Sequence, residues 1–228
     1  MKILLLTNKS YHINDFHLID KNLYNDLLYI DNRESFTIEK IKQFQPDYIF
    51  VLHWSHIIKE EVFSNYETVI FHMTDLPFGR GGSPLQNLIV RGLTKSKMSA
   101  LKCEKGIDSG DIYFKEDISL EGTAQEILQR NSKVIMKMIN KILKEKPVPY
   151  PQEGEVSTFN RRTPEDGNLK EIESINSIYD YIRMLDGEGY PPAFLEYQNI
   201  KYEFTQARMN NGNITARVNI SLNRNRDE

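Results

Sequence analysis

Three short apolar runs constrain the fold most: Ile3 to Leu6, Tyr48 to Leu52 and Thr68 to Phe71, each bounded by polar or turn-forming residues. They are of strand length, and their near-continuous apolar character means burial on both faces. Helix-length segments lie between them. The pattern predicts a parallel sheet covered on both sides, with functional groups at the carboxyl ends of its strands. His53 and His72 both follow such ends.

Beyond Phe71 the stretch HMTDLPFGRGGSP carries Pro77, Gly79, Gly81, Gly82 and Pro84, which forbid regular structure there. Ser99 to Cys103 and Asp111 to Asp117 supply two further strands, with a turn at Gly106 to Gly110 between them. The sequence TAQE is a capping box, in which Thr123 and Glu126 satisfy the first free amides of a helix running to about Lys146. Its apolar face includes Ile127, Val134, Met138 and Leu143. Residues 147 to 168, rich in proline, read as a linker, followed by a helix over Ile175 to Leu185 and two β-rich stretches, PPAFLEY and NIKYEFTQARM. The division expected is residues 1–149 as catalytic domain and 150–228 as linker, helix and small β-rich subdomain, with a frayed NRNRDE tail.

Lys and Arg total 29 against 32 acids, a net charge of −3, and no basic block suited to a phosphate backbone is present, so no nucleic-acid partner is expected. The apolar segment in MKILLLTNKSYH is too brief for a signal peptide's core or a membrane span, which reads as the first strand of a cytoplasmic protein without a membrane partner. A single cysteine, Cys103, excludes an intrachain disulfide and reads as inert packing. No Cys/His pair has structural zinc spacing, so no metal is expected.

A histidine at a strand end is by itself most often structural. Here KGIDSGDIYF places Asp108 in a tight turn between two strands, and a histidine and an aspartate on neighbouring strand-end loops form a proton-handling pair. The residues H-M-T-D-L-P-F-G-R-G-G-S-P and G-I-D-S-G-D resemble, in order and spacing, the two motifs of the 10-formyltetrahydrofolate-dependent formyltransferases. TFNRRTPEDG and IYDYIRMLDGEGYPPAFLEY look like the sugar N-formyltransferase branch, most similar to the type associated with pseudaminic and other nonulosonic acids. Methionyl-tRNA formyltransferases share the catalytic loop but carry a longer, basic C-terminal domain, which is not expected in this sequence.

The resemblance implies an α/β, Rossmann-like formyltransferase core with a mostly parallel sheet and a short C-terminal β-rich extension. It implies formyl transfer from 10-formyltetrahydrofolate to the amine of a nucleotide-linked amino sugar. His72 would stabilise the oxyanion and move protons, with Asp108 orienting it or relaying through water. Two positions before the histidine, the family's oxyanion-holding asparagine is replaced by Ile70, which cannot donate a hydrogen bond; His53, His56 and Asn87 are candidate substitutes. The folate would meet Trp54, Ser55 and Ile57, and the segment of Lys102, Glu104 and Ile107. Trp54 reads equally well as a core aromatic. The acceptor would meet Asp75, Arg80, Gly81, Arg161 and Glu165, although Asp75 could equally cap its loop and Arg161, Arg162 and Glu165 form a solvated turn. Alternatives left open are a methionyl-tRNA formyltransferase-like enzyme, a formyl-folate hydrolase, and a non-catalytic folate or nucleotide-sugar binding module.

Overall fold

A computed structural model describes residues 1–223. The chain divides into two compact units: residues 1–84, 96–118 and 128–159, and residues 85–95, 119–127 and 160 onward.

In chain order the elements are β1 (Lys2–Leu6), α1 (Ser10–Asp15), β2 (Asp26–Ile30), α2 (Ile38–Phe44), β3 (Tyr48–Leu52), α3 (Glu60–Phe63), β4 (Glu67–His72) and β5 (Arg80–Gly81). They continue with α4 (Pro84–Ile89), β6 (Lys95–Lys102), β7 (Ile112–Ser119), α5 (Ala124–Glu145), β8 (Thr158–Phe159), α6 (Ile175–Leu185), β9 (Ala193–Tyr197), β10 (Ile200–Asn210) and β11 (Asn213–Leu222).

The first unit is built on a six-stranded sheet in the order β2-β1-β3-β4-β6-β7. β1 pairs in parallel with β2 and β3, and β3 with β4, whereas β6 runs antiparallel to β4. This is the α/β architecture expected. Ile3 to Leu6 and Ile49 to Leu52 are all buried, as strands covered on both faces require. Thr37 caps α2, its Oγ1 accepting the Lys40 amide at 3.3 Å. The predicted capping box forms: Thr123 N donates to Glu126 Oε2 at 2.8 Å, and Glu126 N to Thr123 Oγ1 at 3.3 Å. On α5, Ile127, Met138 and Leu143 are buried as expected and Val134 is half-buried.

Local features differ from the sequence reading, first among them β2, a strand within the stretch between β1 and β3 read as helix-length. The glycine-rich loop is not wholly irregular, because β5 pairs in parallel with β8, out of the stretch read as linker. Gly81 permits this approach: at φ +106° a side chain there would lie 2.5 Å from the Phe159 carbonyl.

The second unit holds a three-stranded antiparallel sheet in the order β11-β10-β9, one strand more than expected. Ile214, Ala216, Val218, Ile220 and Leu222 do alternate along β11, but most of the strand is exposed, which blunts the apolar signal that marks buried strands. A bulge between Thr205 and Arg208 shifts the β10–β11 register, and Asp186 holds it by accepting the Gln206 amide at 2.8 Å. Buried Arg183 on α6 donates to the Leu120 and Gly122 carbonyls at 2.6 and 3.0 Å while pairing with Asp180 at 2.7 Å. The tail from residue 224 lies outside the described residues. No helix among those described is long and apolar enough to cross a membrane.

Candidate active site

β4 ends on His72, whose imidazole is buried. Its Nε2 donates to the Gly79 carbonyl at 2.9 Å, and since a carbonyl only accepts, Nε2 carries a proton. On the other side of the ring, Nδ1 lies 3.4 Å from Asp108 Oδ2. That oxygen also accepts the Gly81 amide at 2.9 Å. The two motif loops therefore meet, with Asp108 in the left-handed backbone region at φ +49°.

The segment after α5 fastens these loops together. Gln152 Oε1 accepts Arg80 Nε and Nη2 at 3.1 and 2.7 Å, and its Nε2 donates to the carbonyls of Asp108 and Gly110 at 2.9 and 2.8 Å. Ser157 Oγ accepts the Gly79 amide at 2.8 Å, and its carbonyl accepts the Arg80 amide at 3.0 Å. Tyr150 joins the strap to β7 through a two-way backbone bridge with Ile112. Sequence reasoning missed Gln152 and Ser157, since nothing local distinguishes a polar residue in a proline-rich stretch from a linker residue.

A second histidine stands abreast of the first. The parallel register Leu52↔Phe71 places His53 beside His72, with His53 itself at φ +47°. His53 Nδ1 lies 3.0 Å from His12 Nε2 and 3.1 Å from the Tyr11 hydroxyl, and His12 Nδ1 lies 3.1 Å from Ser132 Oγ. His53 Nε2 is buried with no hydrogen-bond partner. Burial, then the charges of Lys9 and His72, pushes the His53 pKa down to about 4. Burial, with His53 and Lys9, also holds His12 well below the usual imidazole range. Of the other candidates for the missing oxyanion donor at Ile70, His56 is exposed beside the Trp54 ring, and Asn87 donates to the Asn160 carbonyl in the second unit.

The two segments expected to hold folate share one apolar cluster, in which half-buried Trp54 packs on buried residues that include Ile58 and Cys103. Ser55 and Glu104 are exposed and Lys102 is half-buried, while Ile57 and Ile107 present their side chains to solvent at 90% and 68% exposure. Burial, followed by Asp108 and Glu104, pushes the Cys103 thiol up to about 12, so it is not a nucleophile at neutral pH. Asp75 is tied to Lys115 by an ion pair of 2.5 Å. Arg80 is held by Gln152, and Gly81 by Asp108. Arg161 and Glu165 belong to the second unit, where Glu165 accepts from the Asn168 amide group at 2.9 Å. Among the described residues no three His, Cys, Asp or Glu side chains form a metal-ligand set.

Residues 13–143 match the family described as formyl transferase, and residues 164–221 match the C-terminal domain of methionyl-tRNA formyltransferase. A solved methionyl-tRNA formyltransferase from Clostridium thermocellum is 50% identical, with a TM-score of 0.94 over 97% of this chain and 99% of that one. A methionyl-tRNA formyltransferase from Clostridium botulinum is 27% identical over 75% of this chain and 58% of its own length. The chain spans about three-fifths of the length of the curated relatives it matches. A solved 4-N formyltransferase from Francisella tularensis, 18% identical at a TM-score of 0.64 over 94% and 95% of the two chains, shares the fold.

These matches overturn the expected sugar N-formyltransferase branch, and with it the nucleotide-linked amino sugar as partner and the exclusion of nucleic acid. The C-terminal domain of the tRNA enzyme, not expected in this sequence, is matched by residues 164–221. Whole-chain net charge could not decide the point, because it averages away the local cations that a polyanion meets. The His72–Asp108 pair at the mouth of a parallel sheet, and the match that runs across most of that sheet, agree: this chain belongs to the formyl transferase family.

Proposed function

We propose that this protein is a cytoplasmic enzyme that transfers the formyl group of 10-formyltetrahydrofolate to the amino group of methionyl-tRNA. The contact between His72 and Asp108 on two strand-end loops carries the chemistry; the choice of acceptor rests on the relatives. Residues 1–149 form the catalytic domain in this reading, and residues 150–228 supply the strap, the helix and the small β-rich subdomain.

The formyl oxygen takes over the hydrogen bond that His72 Nε2–H gives to Gly79. As the amine adds to the formyl carbon, negative charge grows on that oxygen, and a donor already aimed at it costs little reorganisation. With Nε2–H committed to a carbonyl, Nδ1 must also carry a proton to donate to the Asp108 carboxylate, so Asp108, itself held by the Gly81 amide, orients the ring as an imidazolium. Folate is assigned to the Trp54 and Cys103 segments, whose shared apolar cluster suits one side of a flat ring, with Ser55, Ile57, Lys102, Glu104 and Ile107 at its edge. Arg80, Gly81 and Asp75 are assigned to the acceptor, as are Arg161 and Glu165 in the second unit.

The test is incubation with 10-formyltetrahydrofolate and charged initiator tRNA, reading formylmethionine after deacylation. Formylmethionine together with stoichiometric tetrahydrofolate is the expected result. Tetrahydrofolate released together with free formate and without formylmethionine would replace transfer with hydrolysis, and no release at all would sink the enzymatic reading.

A further inference from the structure

The hydrogen-bond chain behind His53 determines which of its nitrogens carries the proton. Ser132 Oγ lies 3.1 Å from the Tyr11 carbonyl, which can only accept, so the serine hydroxyl proton points there. The same oxygen must then accept from His12 Nδ1, 3.1 Å away, which puts the His12 proton on Nδ1 and leaves Nε2 as a lone pair. His12 Nε2 faces His53 Nδ1 at 3.0 Å, so His53 donates through Nδ1–H, and the Tyr11 hydroxyl, 3.1 Å from the same nitrogen, shares that proton as a second acceptor. His53 Nε2 is therefore an acceptor. It is also the atom that is buried and unpartnered, on the strand end next to His72.

A bare imidazole lone pair cannot stabilise an oxyanion, which rules His53 out as the stand-in for a donor at Ile70. It can take a proton. On the reading that this site formylates an amine, we infer that His53 Nε2 is the general base that removes the proton of the attacking amine, its tautomer fixed by the His12–Ser132–Tyr11 relay. The new bond joins the amine nitrogen to the formyl carbon, and the bond from that carbon to folate N10 breaks with its electron pair staying on N10. The amine proton passes to His53 Nε2 and from the resulting imidazolium to N10, directly or through solvent, so that no proton is gained or lost overall. Burial keeps the ring neutral at pH 7, so its Nε2 lone pair is free to accept a proton. Its left-handed backbone, costing about 1–3 kcal/mol for a residue with a side chain, lies at the strand end beside that of His72.

Two measurements test this. The first needs no activity: nitrogen-15 histidine spectra of the wild-type protein should show His53 protonated at Nδ1 and bare at Nε2, and the opposite tautomer would overturn the assignment. The second uses His53→Gly, which suits the positive φ. Its kcat for formyl transfer should fall by about 10²–10⁴ with both KM values little changed. Added imidazoles should restore the rate in proportion to their basicity, a dependence that a purely structural role would not produce. Wild-type kcat in His53→Gly, or rescue indifferent to basicity, would defeat the proposal. If the wild-type protein formylates no charged tRNA, the proposed function falls while the tautomer spectrum still decides the role of His53.

Discussion

Asp108 Oδ2 serves two partners, the Gly81 amide and the His72 imidazole, and only the second interaction depends strongly on charge. Asp108→Asn can keep an oxygen toward Gly81 while removing the negative charge beside the ring, so kcat should fall by roughly 10²-fold or more with folate binding preserved. His72→Ala should do the same. Steady-state kinetics beside equilibrium folate binding separate these effects, and near-normal turnover in either variant would remove that residue from the chemistry. The second residue-scale expectation concerns acid. His12 and His53 are both held below the ordinary imidazole range in the folded chain, so the unfolded chain binds more protons as the solution is acidified. Their contribution to stability is full above about pH 6.5 and is lost as pH falls toward about 4, amounting to ~3 kcal/mol for a shift of the His53 size. Urea midpoints should drop between neutral and mildly acidic buffer, and His53→Gln should flatten that drop; an unchanged slope would show that the ring is not neutral and buried as described.

At the scale of elements, the strap around Gln152 and Ser157 deserves the first mutation. Gln152→Ala severs Arg80 from the carbonyls of Asp108 and Gly110, leaving half-buried polar groups unpaired at less than the roughly 1–3 kcal/mol each of fully buried ones. Thermal melting should shift down, and kcat should fall more than either KM rises, because the two catalytic loops lose their common anchor. Gly110→Ala should be harsher, since an added Cβ would lie 1.9 Å from the Lys102 carbonyl and force β6 and β7 apart at the turn. A soluble, fully active Gly110→Ala protein would contradict that packing. These elements also mark where sequence reading succeeds. Apolar runs announced β1, β3 and β4, and TAQE announced the start of α5, because burial and capping leave local signatures. His72 and Asp108 were legible because strand ends and glycine turns frame them. Gln152 was not, since its role arises only when residues distant in sequence come to its amide; His12 was passed over for the same reason. The branch of the family was misread because both catalytic motifs are silent about the acceptor, and the choice then fell to net charge and to weak likeness in the second unit.

Over the whole molecule, an acidic total coexists with local cations. In the second unit Arg208 and Arg217, with the acids Glu126 and Asp186, line an open cleft of about 770 Å³, and the bulge at Gln206 sets Arg208 opposite Thr215. If the acceptor is a tRNA, Arg208→Ala with Arg217→Ala should weaken its binding and lower the salt slope by about one unit per lost phosphate contact. Filter binding over a range of salt measures both, and an unaltered slope would move the tRNA contact elsewhere. Chain order adds a further consequence of the strap. The ribosome completes all six strands of the large sheet, with His53, His72 and Asp108 already in place along them, before it reaches Gln152. A nascent chain released as far as β7 thus owns its reactive side chains but not the fastening that aligns their loops. The loops that carry His72 and Asp108 therefore gain their common fastening only after the whole large sheet has been made.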